Sequence, residues 1–142
     1  MISQEKLPTY DEWRLNSKIS ALLIEMGGNT ELNGFTFVVE GVKYILERPT
    51  QKISLVYNLY PHIANVCQTT PSRVERNLRH FLQTMWNREK VQAINKAFGM
   101  QLFHPNEIPT VGQFLFIFAE RVRREVYVLA DGRYLFQWCE SE

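Results

Sequence analysis

The sequence predicts an all-α fold: six helical segments, with a helix-turn-helix formed by the third and fourth, and a β-hairpin appended at the C-terminal end. Three observations carry this expectation. Apolar residues recur at spacings of three and four through most of the chain, the period of one helix face. Proline, glycine and asparagine fall at the ends of these periodic stretches, where helices start and stop. Beyond Arg124 the pattern changes to two β-rich runs around Asp131-Gly132.

The elements follow in order. Residues 1–14, largely polar and containing Pro8, Tyr10 and Trp13, read as an N-terminal arm. Asn16 or Ser17 stands where a cap would precede Ile19, Leu22, Leu23 and Met26, and Gly27-Gly28-Asn29 ends that first helix. A second helix is expected from about Gly34 to Arg48, with Phe35, Val38, Val39, Val42, Ile45 and Leu46 on one stripe and Pro49 just beyond. Pro61 falls in the first turn of a short third helix, where its missing N–H costs nothing. Thr70 caps a fourth helix with Pro71 at its first position, continuing to Asn87. A fifth covers about Arg88 to Phe98 and ends at Gly99, and a loop runs from Met100 to Pro109. A sixth spans Thr110 to Glu125, burying Phe114, Ile117, Phe118 and Val122. The helical domain is thus expected over residues 15–125, and residues 126–142 form a hairpin tail. With a two-residue Asp-Gly turn, Tyr127 faces Phe136 and Leu129 faces Tyr134.

Composition excludes several classes of function. The chain has 142 residues, with Lys+Arg 16 against Asp+Glu 15 and a net charge of +1. The longest apolar run, Phe114–Ala119, is far short of the ~18 residues that a membrane helix needs. The N-terminus lacks the layout of a signal peptide, and two cysteines, Cys67 and Cys139, read as reduced thiols in a cytoplasmic protein. His62, His80 and His104 show no metal-ligand spacing with each other or with the cysteines, and no phosphate loop or nucleophile motif is present. No cofactor, no metal and no enzymatic activity are expected.

Residues 60–80 carry the chemistry. Ala64 is the small residue that a closely crossing second helix requires, flanked by Ile63 and Cys67, and Val74 is the inward branched residue ten positions later. At 100° per residue, Val74, Leu78, Phe81, Leu82 and Met85 fall within one sector. Arg73, Arg76, Arg79, His80 and Gln83 project between about 140° and 260° from Val74, on the opposite side. Glu75 is the one acid between residues 72 and 88. Arginine can donate two hydrogen bonds to guanine O6 and N7, and a carboxylate can accept from cytosine N4. Arg73, Glu75 and Arg76 lie near the start of the helix, where side chains reach base edges in the major groove. Ser72, Arg79, His80 and Arg88 suit the DNA backbone, whose contacts fix register without reading sequence.

These residues resemble a known family. Leu59-Tyr60-Pro61, Ile63-Ala64, Thr69-Thr70, Ser72-Arg73-Val74-Glu75-Arg76, Arg79-His80, Trp86, Arg88, Phe98-Gly99 and Pro109-Thr110 resemble the C-terminal DNA-binding effector domain of the stage-zero sporulation response regulator. The resemblance spans about residues 15 to 125. It implies a six-helix fold and promoter binding at short boxes of the TGTCGAA type. The residues matching Arg73, Glu75 and Arg76 would read bases, and those matching Ser72, Arg79 and His80 would lie on the same surface. It further implies contacts to the RNA polymerase sigma subunit from about Asn87–Phe98, and between neighbouring domains from about Thr110–Arg124.

Three departures from the family shape the expectations. The length leaves no room for the receiver domain that normally precedes this effector, so an effector without its phosphorylatable partner is expected. Gln68 occupies a turn position where glycine or asparagine is favoured. The 126–138 hairpin has no counterpart, and with the last helix it is a candidate surface for homodimerisation. The functional expectation is a sequence-specific regulator that binds double-stranded DNA. The alternative is a protein-interaction module acting on a full-length regulator or on RNA polymerase. The joint retention of Arg73, Glu75 and Arg76 favours the first.

Overall fold

The most apolar segment of the sequence lies at the centre of the domain. Helix α2, Asn33–Leu46, buries Phe35, Phe37, Val38, Val39, Val42, Ile45 and Leu46, so most of its circumference is covered by other helices. The computed structural model describes residues 10–99, 101–128 and 134–136. Around α2 are arranged α1, Tyr10–Glu25; α3, Tyr60–Cys67; α4, Pro71–Met85; α5, Arg88–Phe98; and α6, Val111–Arg123. Helices α1, α3, α4 and α6 all pack on α2, and α3 packs on α4. The described residues are thus all-helical in their core, with six α-helices as the sequence predicts.

Two glycines set how closely the neighbours approach α2. A Cβ on Gly34 would stand 2.4 Å from Cβ of Phe81 and 2.9 Å from the Asn77 carbonyl oxygen. Helix α4 therefore lies directly against the α2 backbone there. At Gly41 the same construction meets Ile63 and Leu115 at ordinary contact distances, so α3 and α6 close on α2 with less compression.

The helix boundaries agree with the expected signals at most ends. Thr70 caps α4 by accepting a hydrogen bond from the Arg73 N–H, with Pro71 at the first position. Asn87 caps α5 in the same way through the Lys90 N–H, and Gly99 ends it in the left-handed conformation, φ 79°. Thr110 and Gln113 form a reciprocal capping box on α6. The long loop before α6 is held by Asn95, the buried polar residue of α5. Its amide donates to the Phe103 carbonyl at 3.0 Å and its oxygen accepts from the Leu102 and Phe103 N–H groups. Trp86 adds an indole N–H bond to the His104 carbonyl and an edge contact with Phe103.

Three boundaries differ from expectation. Helix α1 begins at Tyr10, six residues before the expected cap, so Asn16 and Ser17 lie in its interior. Asp11 and Glu12 in the first turn suit the positive end of the helix dipole, and buried Leu15 extends the apolar stripe backwards from Ile19. Helix α4 ends at Met85 because Trp86 turns extended to bury its ring, leaving Asn87 free to cap α5. A π-helical turn, Leu55–Leu59, precedes α3 and has no signal in the periodicity. Ser54 organises it, its side chain accepting from the Tyr57 N–H and its carbonyl from both Asn58 and Leu59.

At the C-terminal end, β1, Val126–Val128, pairs antiparallel with β2, Tyr134–Phe136. The Asp131-Gly132 turn, Leu129 and Trp138 lie outside the described residues. The register differs from the expected one by a single residue: Tyr127 stands opposite Leu135, and Phe136 opposite Val126. Such a slip exchanges the two sides of a strand, so the single aromatic face expected from the sequence does not follow from this pairing. Val126 is 1% exposed where the chain leaves α6.

Two stability predictions follow. Gly34→Ala drives a methyl group into Phe81 and the Asn77 carbonyl and lowers the unfolding free energy by about 1–3 kcal/mol in chemical denaturation. Gln68 ends α3 at φ 57°, ψ 52°, the left-handed conformation despite its side chain. Gln68→Gly relieves that conformation and raises stability by about 1 kcal/mol in the same measurement.

Candidate nucleic-acid interface

The sequence of α4 divides it into two faces. Val74, Leu78, Phe81, Leu82 and Met85 are each at most 3% exposed. At about 1.5–3 kcal/mol per fully buried side chain, their burial fixes the rotation of the helix about its axis. Ser72, Arg73, Arg76, Arg79, His80 and Gln83 are all exposed on the other face, as the projection predicts. Helix α3 lies behind α4, with Ile63 and Ala64 buried against it, and Gln68-Thr69-Thr70 connects the two. The left-handed Gln68 lets the Thr69 N–H turn back to the Ala64 carbonyl at 2.9 Å. The connection is thus closed by the backbone rather than by the choice of side chain.

The expected site residues are distributed as follows. Ser72 and Arg73 occupy the first turn of α4, and Arg76 the next. The guanidinium groups of Arg73 and Arg76 make no hydrogen bond or ion pair among the described residues. Asn77 donates to the Arg73 carbonyl at 2.8 Å, which occupies the backbone beneath that side chain. His80 is exposed one turn after Arg76. Glu75 and Arg79 stand apart from the others. They pair at 3.4 Å across one helical turn, with side chains 48% and 56% exposed, at the flank of the face rather than its centre. An exposed pair of this kind contributes a few tenths of a kcal/mol and exchanges partners readily. Arg88 is the first residue of α5, beyond the break at Trp86, so it belongs to a different helix from the rest of the set.

A feature that the sequence reading did not identify lies beside Glu75 and Arg79. A cavity of about 440 Å³ opens between α4, the π-helical turn and the start of α6. Leu55, Leu82, Ile108 and Val111 give it apolar walls, and Tyr60, Glu75, Arg79 and Gln83 bring polar groups to it. Tyr60 is 7% exposed, and burial, reinforced by the Glu75 carboxylate and opposed by Arg79, raises its phenol pKa. The Thr110-x-x-Gln113 spacing marks where α6 starts, but nothing local in the sequence places that start against α4.

The two other histidines are structural. His62 packs against Tyr44 with ring centroids 4.6 Å apart and planes inclined at 47°, Arg48 lies 3.7 Å from the Tyr44 ring, and burial together with that arginine lowers the His62 pKa. His104 accepts from the Asn106 N–H in a turn. Among the described residues no group of acidic, histidine or cysteine side chains could hold a metal ion, and no helix is long and apolar enough to cross a membrane.

The arrangement is therefore a basic, exposed helix face held rigidly from behind by an apolar one. Comparison with known families agrees with it. The family model described as Sporulation initiation factor Spo0A C terminal matches residues 19–122, a span that opens within α1, closes within α6 and contains α2 to α5 whole. The chain belongs to this family of DNA-binding effector domains of transcription regulation in sporulation.

Proposed function

We propose that this chain is a sequence-specific, double-stranded DNA-binding transcriptional regulator in which α3 and α4 act as a helix-turn-helix and α4 lies in the major groove. The observation that carries the reading is the pair of unpaired guanidinium groups, Arg73 and Arg76, on the exposed side of a helix whose opposite side is wholly buried. Arg73 and Arg76 read guanine, and Glu75 accepts from cytosine N4. Ser72, Arg79, His80 and Arg88 contact the DNA backbone, joined by the N-terminus of α4, whose dipole favours phosphate.

Two partner assignments belong to the same proposal. The exposed side of α5, which includes Gln92 and Lys96, is the surface for the RNA polymerase sigma subunit. Neighbouring copies meet through α6, where Phe116 is 36% exposed, or through the C-terminal segment.

Fluorescence anisotropy on a duplex carrying a TGTCGAA-type box tests the reading at about 0.15 M salt. Arg76→Ala weakens binding to the box by about 5- to 150-fold, as loss of a bidentate base contact predicts, and affects a scrambled duplex far less. Arg79→Ala weakens both duplexes similarly and makes the salt dependence shallower by about one phosphate contact. Equal affinity of Arg76→Ala and the parent for the box would sink direct readout.

A further inference from the structure

The cavity beside α4 has the composition of a ligand site, with apolar walls and hydrogen-bond donors from three elements. Walls of Leu55, Leu82, Ile108 and Val111 surround it, and its volume of about 440 Å³ falls within the range of small-molecule pockets. At Gly112 an added Cβ would stand 3.0 Å from Cδ1 of Leu55, so this glycine keeps one wall clear.

The donors come from three elements. Tyr60, more than nine-tenths buried, lines the cavity and brings a phenol group to it. A phenol is protonated at neutral pH, and burial raises the Tyr60 pKa further. The capping box of α6 occupies the N–H groups of Thr110 and Gln113 and the next bond begins at Phe114. The N–H groups of Val111 and Gly112 are thereby left without a partner among the described residues, at the positive end of a 13-residue helix. Arg79, half exposed and bound to Glu75 through one contact, retains further N–H donors.

We propose that this cavity is a binding site for a small molecule carrying a single carboxylate on an apolar body. The carboxylate accepts from Tyr60, Arg79 and the first turn of α6, and the apolar body contacts Leu55, Leu82 and Ile108. A monoanion fits better than a phosphate dianion because Glu75 already places one negative charge at the rim. Arg79 also belongs to the proposed DNA face, so an occupied cavity would draw it away from phosphate and weaken DNA binding. That consequence rests on the DNA-binding reading, whereas the site itself does not, and the test of the site is made without DNA.

The probe is sodium benzoate, titrated against ¹⁵N-labelled protein at constant ionic strength, with benzyl alcohol as the uncharged control. Benzoate up to about 10 mM, a range suited to a weak single-ring ligand, produces saturable shifts at the amides of Tyr60, Gln83, Val111 and Gly112. Benzyl alcohol shifts them far less. Tyr60→Phe weakens benzoate binding by about three- to tenfold, the effect of one lost hydrogen bond. Ile108→Trp, at a half-exposed position of the lining, fills the cavity and abolishes the shifts, with an otherwise unchanged amide spectrum showing that the fold is kept. Absence of saturable shifts at these amides overturns the proposal, as does an equal response to benzyl alcohol or undiminished binding in the filled variant.

Discussion

The contact between Gly34 of α2 and Phe81 of α4 is the constraint on which the rest of the domain depends. No other glycine of the described residues lies so close to a side chain and a backbone carbonyl together. It sets the distance between the central helix and α4, and Phe81 meets Phe35 edge-on at 6.2 Å beside it. Close packing of this kind admits few alternatives, because a shift of even one methylene is felt in a protein interior. The orientation of the exposed arginines is therefore a consequence of the core. Arg73 and Arg76 point outward because Val74 and Leu78 cannot do otherwise.

A second set of interactions governs what surrounds that helix. Trp86 leaves the helical path to bury its ring against Phe103, and Asn95 holds the following loop through three backbone bonds. Together they bring Ile108 and Pro109, and with them the start of α6, alongside Glu75 and Arg79. The cavity next to α4 is thus formed by residues far apart in sequence. Each of its polar groups is ordinary by itself, and its character arises from their convergence.

This distinction explains which parts of the molecule were legible in the sequence. The two faces of α4 follow from a period of 3.6 residues and were readable directly, as were caps such as Thr70 and Thr110, whose signals lie within four residues. The start of α1 was not. Its first turn is stabilised by Asp11 and Glu12 and its stripe begins at Leu15, while Asn16 imitates a cap that the helix does not use. The π-helical turn depends on Ser54 accepting bonds in a way no apolar period records. Gln68 was recognised as an unfavourable turn residue, and it adopts the left-handed conformation because the Thr69–Ala64 bond and the packing of α3 on α4 require it. The strand register differs by one residue from the one a two-residue Asp-Gly turn implies, a difference that no local signal records. Of the candidate site, the list of exposed residues was legible, whereas the pairing of Glu75 with Arg79 and their position against α6 required the fold.

That pairing bears on how the proposed DNA contacts would form. Glu75 as a base-reading acceptor and Arg79 as a phosphate donor cannot both act while they hold each other. The exposed i,i+4 pair contributes about 0.3–0.5 kcal/mol, so separating it is a small cost against a charge-assisted contact of roughly 1.5–3 kcal/mol. A phosphate that captured Arg79 would free Glu75 at the same moment and leave its carboxylate in need of a donor, which cytosine N4 or adenine N6 supplies and thymine or guanine does not. In the proposed complex, backbone binding and base discrimination would then be linked through one side chain: the sequence-independent contact would expose the group that penalises a wrong base. Such a link would depend on the pair being weak. Buried in the core, the same two residues would be held too firmly to exchange partners, and the helix would present a neutral flank to DNA instead of a selective one.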